Sequence, residues 1–214
     1  MTNALFTGAL VHVRTLAVFL CACVCHGEEL PVLWNPPHGF PPTLRDIASR
    51  LPESTDARDA CLITYTHEGS HFLCTGKPGY HCVYVGEGRR WEIPTPPLTT
   101  EEVFAAIPQN LRGTTLYETY LKQGRSEYWS AQPLMFLDEW RAYTVGSLAR
   151  QEMAMLRRGE TVRHLESFTL YVKVMYDLAK ELEGYDRTQL REFCRWNLGQ
   201  CRAVREYTCG VAFE

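Results

Sequence analysis

Cysteine pairs at metal-finger spacing are missing from the body of this chain. No Cys-x-x-Cys occurs after residue 27, which excludes a cysteine-based zinc finger. An excess of either charge is missing too. With a net charge of -3 and a pI near 6.2 there is no basic stripe and no acidic tail, so nucleic acid is not the expected partner. No internal repeat or low-complexity segment is present, and no apolar run is long enough to span a bilayer. What remains is an ordinary globular composition. At 214 residues and 45% hydrophobic, the chain can bury the core of one domain.

Residues 1–27 stand apart. Arg14 is the only charge before Glu28, and it precedes the apolar run Leu16–Cys25. Small residues and Glu28-Glu29 follow, which is the layout of a secretory signal peptide cleaved near Gly27. Leu20-Cys21-Ala22-Cys23 also resembles a bacterial lipobox, with Cys23 as the lipidated residue and membrane attachment as the consequence. Either way the chain is expected to be exported: periplasmic, cell-envelope or secreted. Three of nine cysteines fall in this leader, leaving Cys61, Cys74, Cys82, Cys194, Cys201 and Cys209. In an exported chain Cys74 and Cys82, flanking one short loop, are a candidate disulfide, with buried free thiols the alternative.

Residues 28–214 read as a single α+β domain, predominantly α-helical. Five prolines between residues 30 and 42 predict an extended lead-in, followed by a short helix from Thr43, its cap, to Leu51. Ser54-Thr55-Asp56 is expected to cap a helix running to about Leu73. Two β-type runs, 80–85 and 90–93, flank Gly86-Glu87-Gly88 and predict a small hairpin. Thr99 to Glu102 carries a capping box for a helix ending near Ile107. Further helices are expected over 113–124 and 134–148. Two amphipathic helices, 162–183 and 188–207, break at Gly184-Tyr185-Asp186 and predict an antiparallel helical hairpin spanning 160–208.

The chemistry concentrates in Thr66-His67-Glu68-Gly69-Ser70-His71-Phe72. On a helix His67 and His71 leave one face and can share a metal ion, while Glu68 can reach a water on it. Gly69 is costly inside a helix, which predicts a close neighbour at that backbone position. A catalytic zinc site needs a third protein ligand. The position six residues past His71 is Lys77, and His81 lies beyond a glycine-proline turn. Glu139 is the better candidate: an acid on an otherwise apolar helical stretch, with small Ala142 three residues later to let two helices approach.

With these residues the chain resembles the gluzincin branch of the zinc metallopeptidases, in which a His-Glu-x-x-His helix and a later glutamate grip one zinc ion. As a whole it is similar to exported bacterial proteins of this kind. The resemblance implies a zincin-like domain in which His67, His71 and Glu139 bind Zn²⁺ and Glu68 is the general base. Tyr143 is the first choice to stabilise the oxyanion, ahead of Tyr128, Arg141 and His164. Asp138 is expected to accept a histidine N–H. The expected activity is hydrolysis of a peptide or protein substrate. Two alternatives belong to other classes. One is a non-catalytic cell-envelope binding or scaffold protein with a structural or degenerate metal site. The other is a cysteine nucleophile at Cys61, Cys74 or Cys82 with His81.

Overall fold

Pro41 is extended (φ -62°, ψ 156°), and the first helix begins at Pro42. The computed structural model describes residues 30–33, 35–36, 38–52, 62–74, 78–114, 116–118, 132–153 and 160–214. The leader, the 54–56 cap and most of the 113–132 region lie outside these residues. In chain order the elements are α1 (Pro42–Ser49), α2 (Leu62–Phe72), β1 (Tyr80–Gly86), β2 (Arg89–Pro94), α3 (Thr100–Ala106), a 3₁₀ turn (Gln109–Leu111), α4 (Met135–Glu152), α5 (Glu160–Lys180) and α6 (Thr188–Ala203). Among the described residues β1 and β2 form the one sheet, an antiparallel pair, so the α+β class with helices dominant holds. No described helix is long and apolar enough to cross a membrane.

Helix α4 is the centre of the fold. Every residue from Phe136 to Ser147 is buried, and α1, α2, β1, α5 and α6 all pack against it. A helix buried on all sides must satisfy its polar groups internally. Thr144 bonds back to the Trp140 carbonyl at 2.7 Å and accepts from the Asn197 amide at 3.2 Å. Arg141 donates to the carbonyls of Tyr84 (3.0 Å) and Val85 (3.3 Å) and lies 4.9 Å from the centre of the Trp196 ring. Burial lowers its pKa to about 10. In this position Arg141 occupies the outer edge of β1, which would otherwise expose unpaired carbonyls.

The hairpin turns on Glu87 (φ 53°) and Gly88 (φ 79°), and two successive positive φ values are what a tight two-residue turn requires. Asp46 of α1 secures the turn. It accepts from the Glu87 amide at 3.0 Å and the Tyr84 hydroxyl at 2.7 Å. A side chain at Gly88 would strike Arg50 and the Leu30 carbonyl, so only glycine fits there. The Thr99–Glu102 capping box forms as the sequence predicts, because every partner is local.

Three local expectations are corrected. Thr43 does not cap α1; Pro41 occupies the cap position, and Thr43 instead gives its amide (2.9 Å) and hydroxyl (2.7 Å) to Glu152. Cys74 and Cys82 are not bridged, and Cys194, Cys201 and Cys209 are free as well. The Cys74 thiol is used in the backbone network, donating to the Ser70 carbonyl at 3.2 Å and accepting from the Tyr84 amide at 3.3 Å. Helix α6 stops at Ala203, short of Tyr207, because the chain turns back. The Tyr207 hydroxyl donates to Thr169 and Thr208 binds Glu166, so the end of α6 sits beside the first half of α5 and the two helices run antiparallel.

The tail that follows is part of the core. Phe213 is 3% exposed and packs against Trp140 (5.6 Å between ring centres) and Tyr176 (5.3 Å). Arg195 donates to its carbonyl at 2.8 Å. Phe213→Ala should therefore cost about 3 kcal/mol of unfolding free energy, read as a lower urea midpoint at unchanged slope.

Candidate metal centre

Helix α2 carries the histidine motif. His67 and His71 are four residues apart, and their Nε2 atoms meet at 3.3 Å on the face turned to α4. A tight approach of α1 and an ordinary packing contact of α4 flank this geometry. A Cβ on Gly69 would stand 2.8 Å from Ile47 Cγ2 and 3.1 Å from Leu51 Cδ1, so α1 presses on the backbone between the two histidines, the close neighbour its sequence predicted. On the opposite side Gly146 of α4 comes against α2. A Cβ there would lie 3.7 Å from the Ile63 carbonyl and 3.8 Å from His67 Cβ. Ala142 is also fully buried.

Glu139 completes the cluster. Its Oε2 is 3.6 Å from His67 Nε2, and its Oε1 is 3.6 Å from His71 Nε2. Donors bound at about 2.0–2.2 Å to one tetrahedral ion lie roughly 3.3–3.5 Å apart. The two imidazole nitrogens, 3.3 Å apart, match that spacing, and each stands 3.6 Å from a different oxygen of Glu139, so the carboxylate faces both rings. At 3.6 Å the contacts to the carboxylate are too long for strong hydrogen bonding. Oε2 of Glu139 is buried with no hydrogen-bond partner, which is costly unless a cation meets it. His67, His71 and Glu139 together could hold a metal ion.

The electrostatics agree with the geometry. Burial by itself would lower the pKa of His71, but the facing Glu139, with Asp138 and Glu68 behind it, raises it from 6.5 to about 9. Burial would raise Glu139, and the charge on His71 with the contacts to both imidazoles holds it at about 2. Without metal the carboxylate and a proton on His71 therefore balance each other, and a divalent ion replaces that proton. Metal affinity should rise with pH, by up to about tenfold per unit, and level off near pH 9. Competition with a chromophoric chelator across pH 6–9.5 measures it.

The surrounding residues fall into place around this centre. Glu68 is exposed, next to His67 on the solvent side. The Tyr143 ring meets His67 edge-on with 4.5 Å between centres, stacks on Phe168 at 5.2 Å and touches His164 at 5.2 Å. Asp138 accepts from a histidine, as its position suggested, but the histidine is His81 on β1 at 2.8 Å. His81 therefore faces Asp138 and is not in the cluster. Arg141 is committed to β1, and Tyr128 lies outside the described residues. For Cys74 the cysteine alternative loses ground, since burial pushes its thiol well above the usual pKa and away from the thiolate, while Cys61 lies outside the described residues. Gly146 was not singled out from sequence; its signal is a glycine seven residues past Glu139, one helix face along from it.

No family model matches the chain, and no curated protein and no solved structure matches it.

Proposed function

We propose that this chain is an exported zinc-dependent hydrolase that cleaves peptide bonds. The observation that carries the proposal is the donor cluster: two imidazole nitrogens at the spacing of a tetrahedral ion, one carboxylate facing both, and a buried carboxylate oxygen otherwise unpartnered. Two nitrogens and one oxygen form a donor set of catalytic zinc centres, whereas structural zinc sites take four protein ligands and close. Among the described residues three groups cluster, which leaves a position for water and favours catalysis over the scaffold alternative.

Zinc in this position would bring the pKa of a water to about 7 and polarise a carbonyl oxygen. Glu68 takes the proton from the attacking water and delivers it to the leaving amine, and its solvent exposure suits that exchange. Tyr143, in contact with His67, donates to the oxyanion. His67, His71 and Glu139 keep their donors aimed at one point, held by the close packing of α1, α2 and α4.

The test is cleavage of an unfolded protein by the mature chain after loading with Zn²⁺. New amino termini should appear, disappear on chelation and return when zinc is restored. Full zinc occupancy without new termini would leave the scaffold alternative standing.

A further inference from the structure

Strand β1 holds both ligand-bearing helices, and it does so next to the ligands themselves. On α4, Glu139 stands between two residues tied to β1. Asp138 meets His81 at 2.8 Å, and Arg141 donates to the carbonyls of Tyr84 and Val85. After α2, the Cys74 amide donates to the His71 carbonyl at 3.0 Å, and its sulfur accepts from the Tyr84 amide. One strand thus spans the two helices whose separation sets the donor cluster.

We infer that His81 is a positioning residue for the metal centre, acting through Asp138 on Glu139. The inference rests on the metal-centre assignment above. Asp138 and Glu139 are consecutive carboxylates, 5% and 7% exposed, at the start of a buried helix. Each requires a counter-group. Glu139 faces the two ligand histidines, and His81 serves Asp138 alone. Without the His81 donor, Asp138 is a buried carboxylate that has lost the 2.8 Å contact tying the first turn of α4 to β1. Freed from β1 at that point, the first turn of α4 shifts and carries Glu139 out of register. His81 also fixes where the hairpin meets α4, since its strand partner Ile93 is fully buried on the same face. Outer partners of this kind are worth about 10–100-fold in metal affinity.

The full mature chain and its H81F and H81Q variants are titrated with Zn²⁺ against a chelator, and with Co²⁺ by visible absorption. Phenylalanine keeps the ring volume without the donor, and glutamine returns an N–H near the Nε2 position. H81F is expected to bind Zn²⁺ about 10–100-fold more weakly and to alter the cobalt band, while H81Q stays close to wild type in both. If H81F does not fold, H81F/D138L replaces the pair by apolar groups and is expected to show the same loss. Wild-type affinity and an unchanged cobalt spectrum in the folded variant, even with a lowered Tm, would overturn the positioning role while the metal centre stands. A wild type that binds neither ion would overturn the metal centre and this inference with it.

Discussion

Glu139→Gln should remove stable metal binding and leave the fold in place. Glutamine preserves the shape of the carboxylate but not its charge. In the metal-free protein the exchange is tolerable, because His71 loses the group that raises its pKa and can remain neutral under burial. The affinity loss should exceed the roughly 10–100-fold expected for an outer partner, since a direct donor is lost. The readout is thermal unfolding with and without Zn²⁺. Ligand binding at 100 times Kd adds about 2.7 kcal/mol of stability, a shift that wild type should show and E139Q should not. An equal shift in E139Q would mean that the ion sits elsewhere.

Glu68→Gln separates chemistry from metal holding. Glu68 is not among the clustered donors and is exposed, so the variant should keep its metal and melt within about 0.5 kcal/mol of wild type. Its peptide-bond turnover should fall about 10²–10⁴-fold, the usual worth of a positioned general base. The loss should be in kcat at unchanged KM. Equal turnover in E68Q would assign the base to another residue.

The charge pair makes a further demand on the metal-free protein. His71, raised above 6.5, contributes stability in full below that value and loses it as pH climbs through about 9. Glu139, held at about 2, contributes above 4.5 and loses it as pH falls toward 2. Metal-free stability from this pair is therefore greatest between about pH 4.5 and 6.5, and chelated samples melted across pH 3–9.5 should show that plateau.

Much of this centre was legible before any coordinates because it depends on spacing. His67 and His71 at i and i+4, and an acid at 139 in an apolar stretch, need only helical periodicity to be placed. The hairpin and the Thr99 cap were legible for the same reason: their partners are a few residues away. What sequence could not supply were choices between distant partners. Asp138 needed a histidine, and nothing local says that it is His81, 57 residues earlier, and not a ligand of the motif. Thr43 looks like a helix cap until Glu152, 109 residues on, takes its hydroxyl and amide. Arg141 read as a possible group of the site, yet the open edge of β1 claims it. The buried circumference of α4 was hidden as well, because polar residues such as Asp138, Arg141 and Thr144 are buried with it and blur the apolar stripe that marks a helix with one wet face.

The most direct test of the account is the metal content of the mature protein purified without added metal chelators, counted per chain by elemental analysis alongside His71→Ala. Close to one zinc per chain is expected in wild type and a small fraction of that in H71A. Wild-type protein that is folded and free of metal, and takes up none from micromolar Zn²⁺ at pH 8, would contradict it.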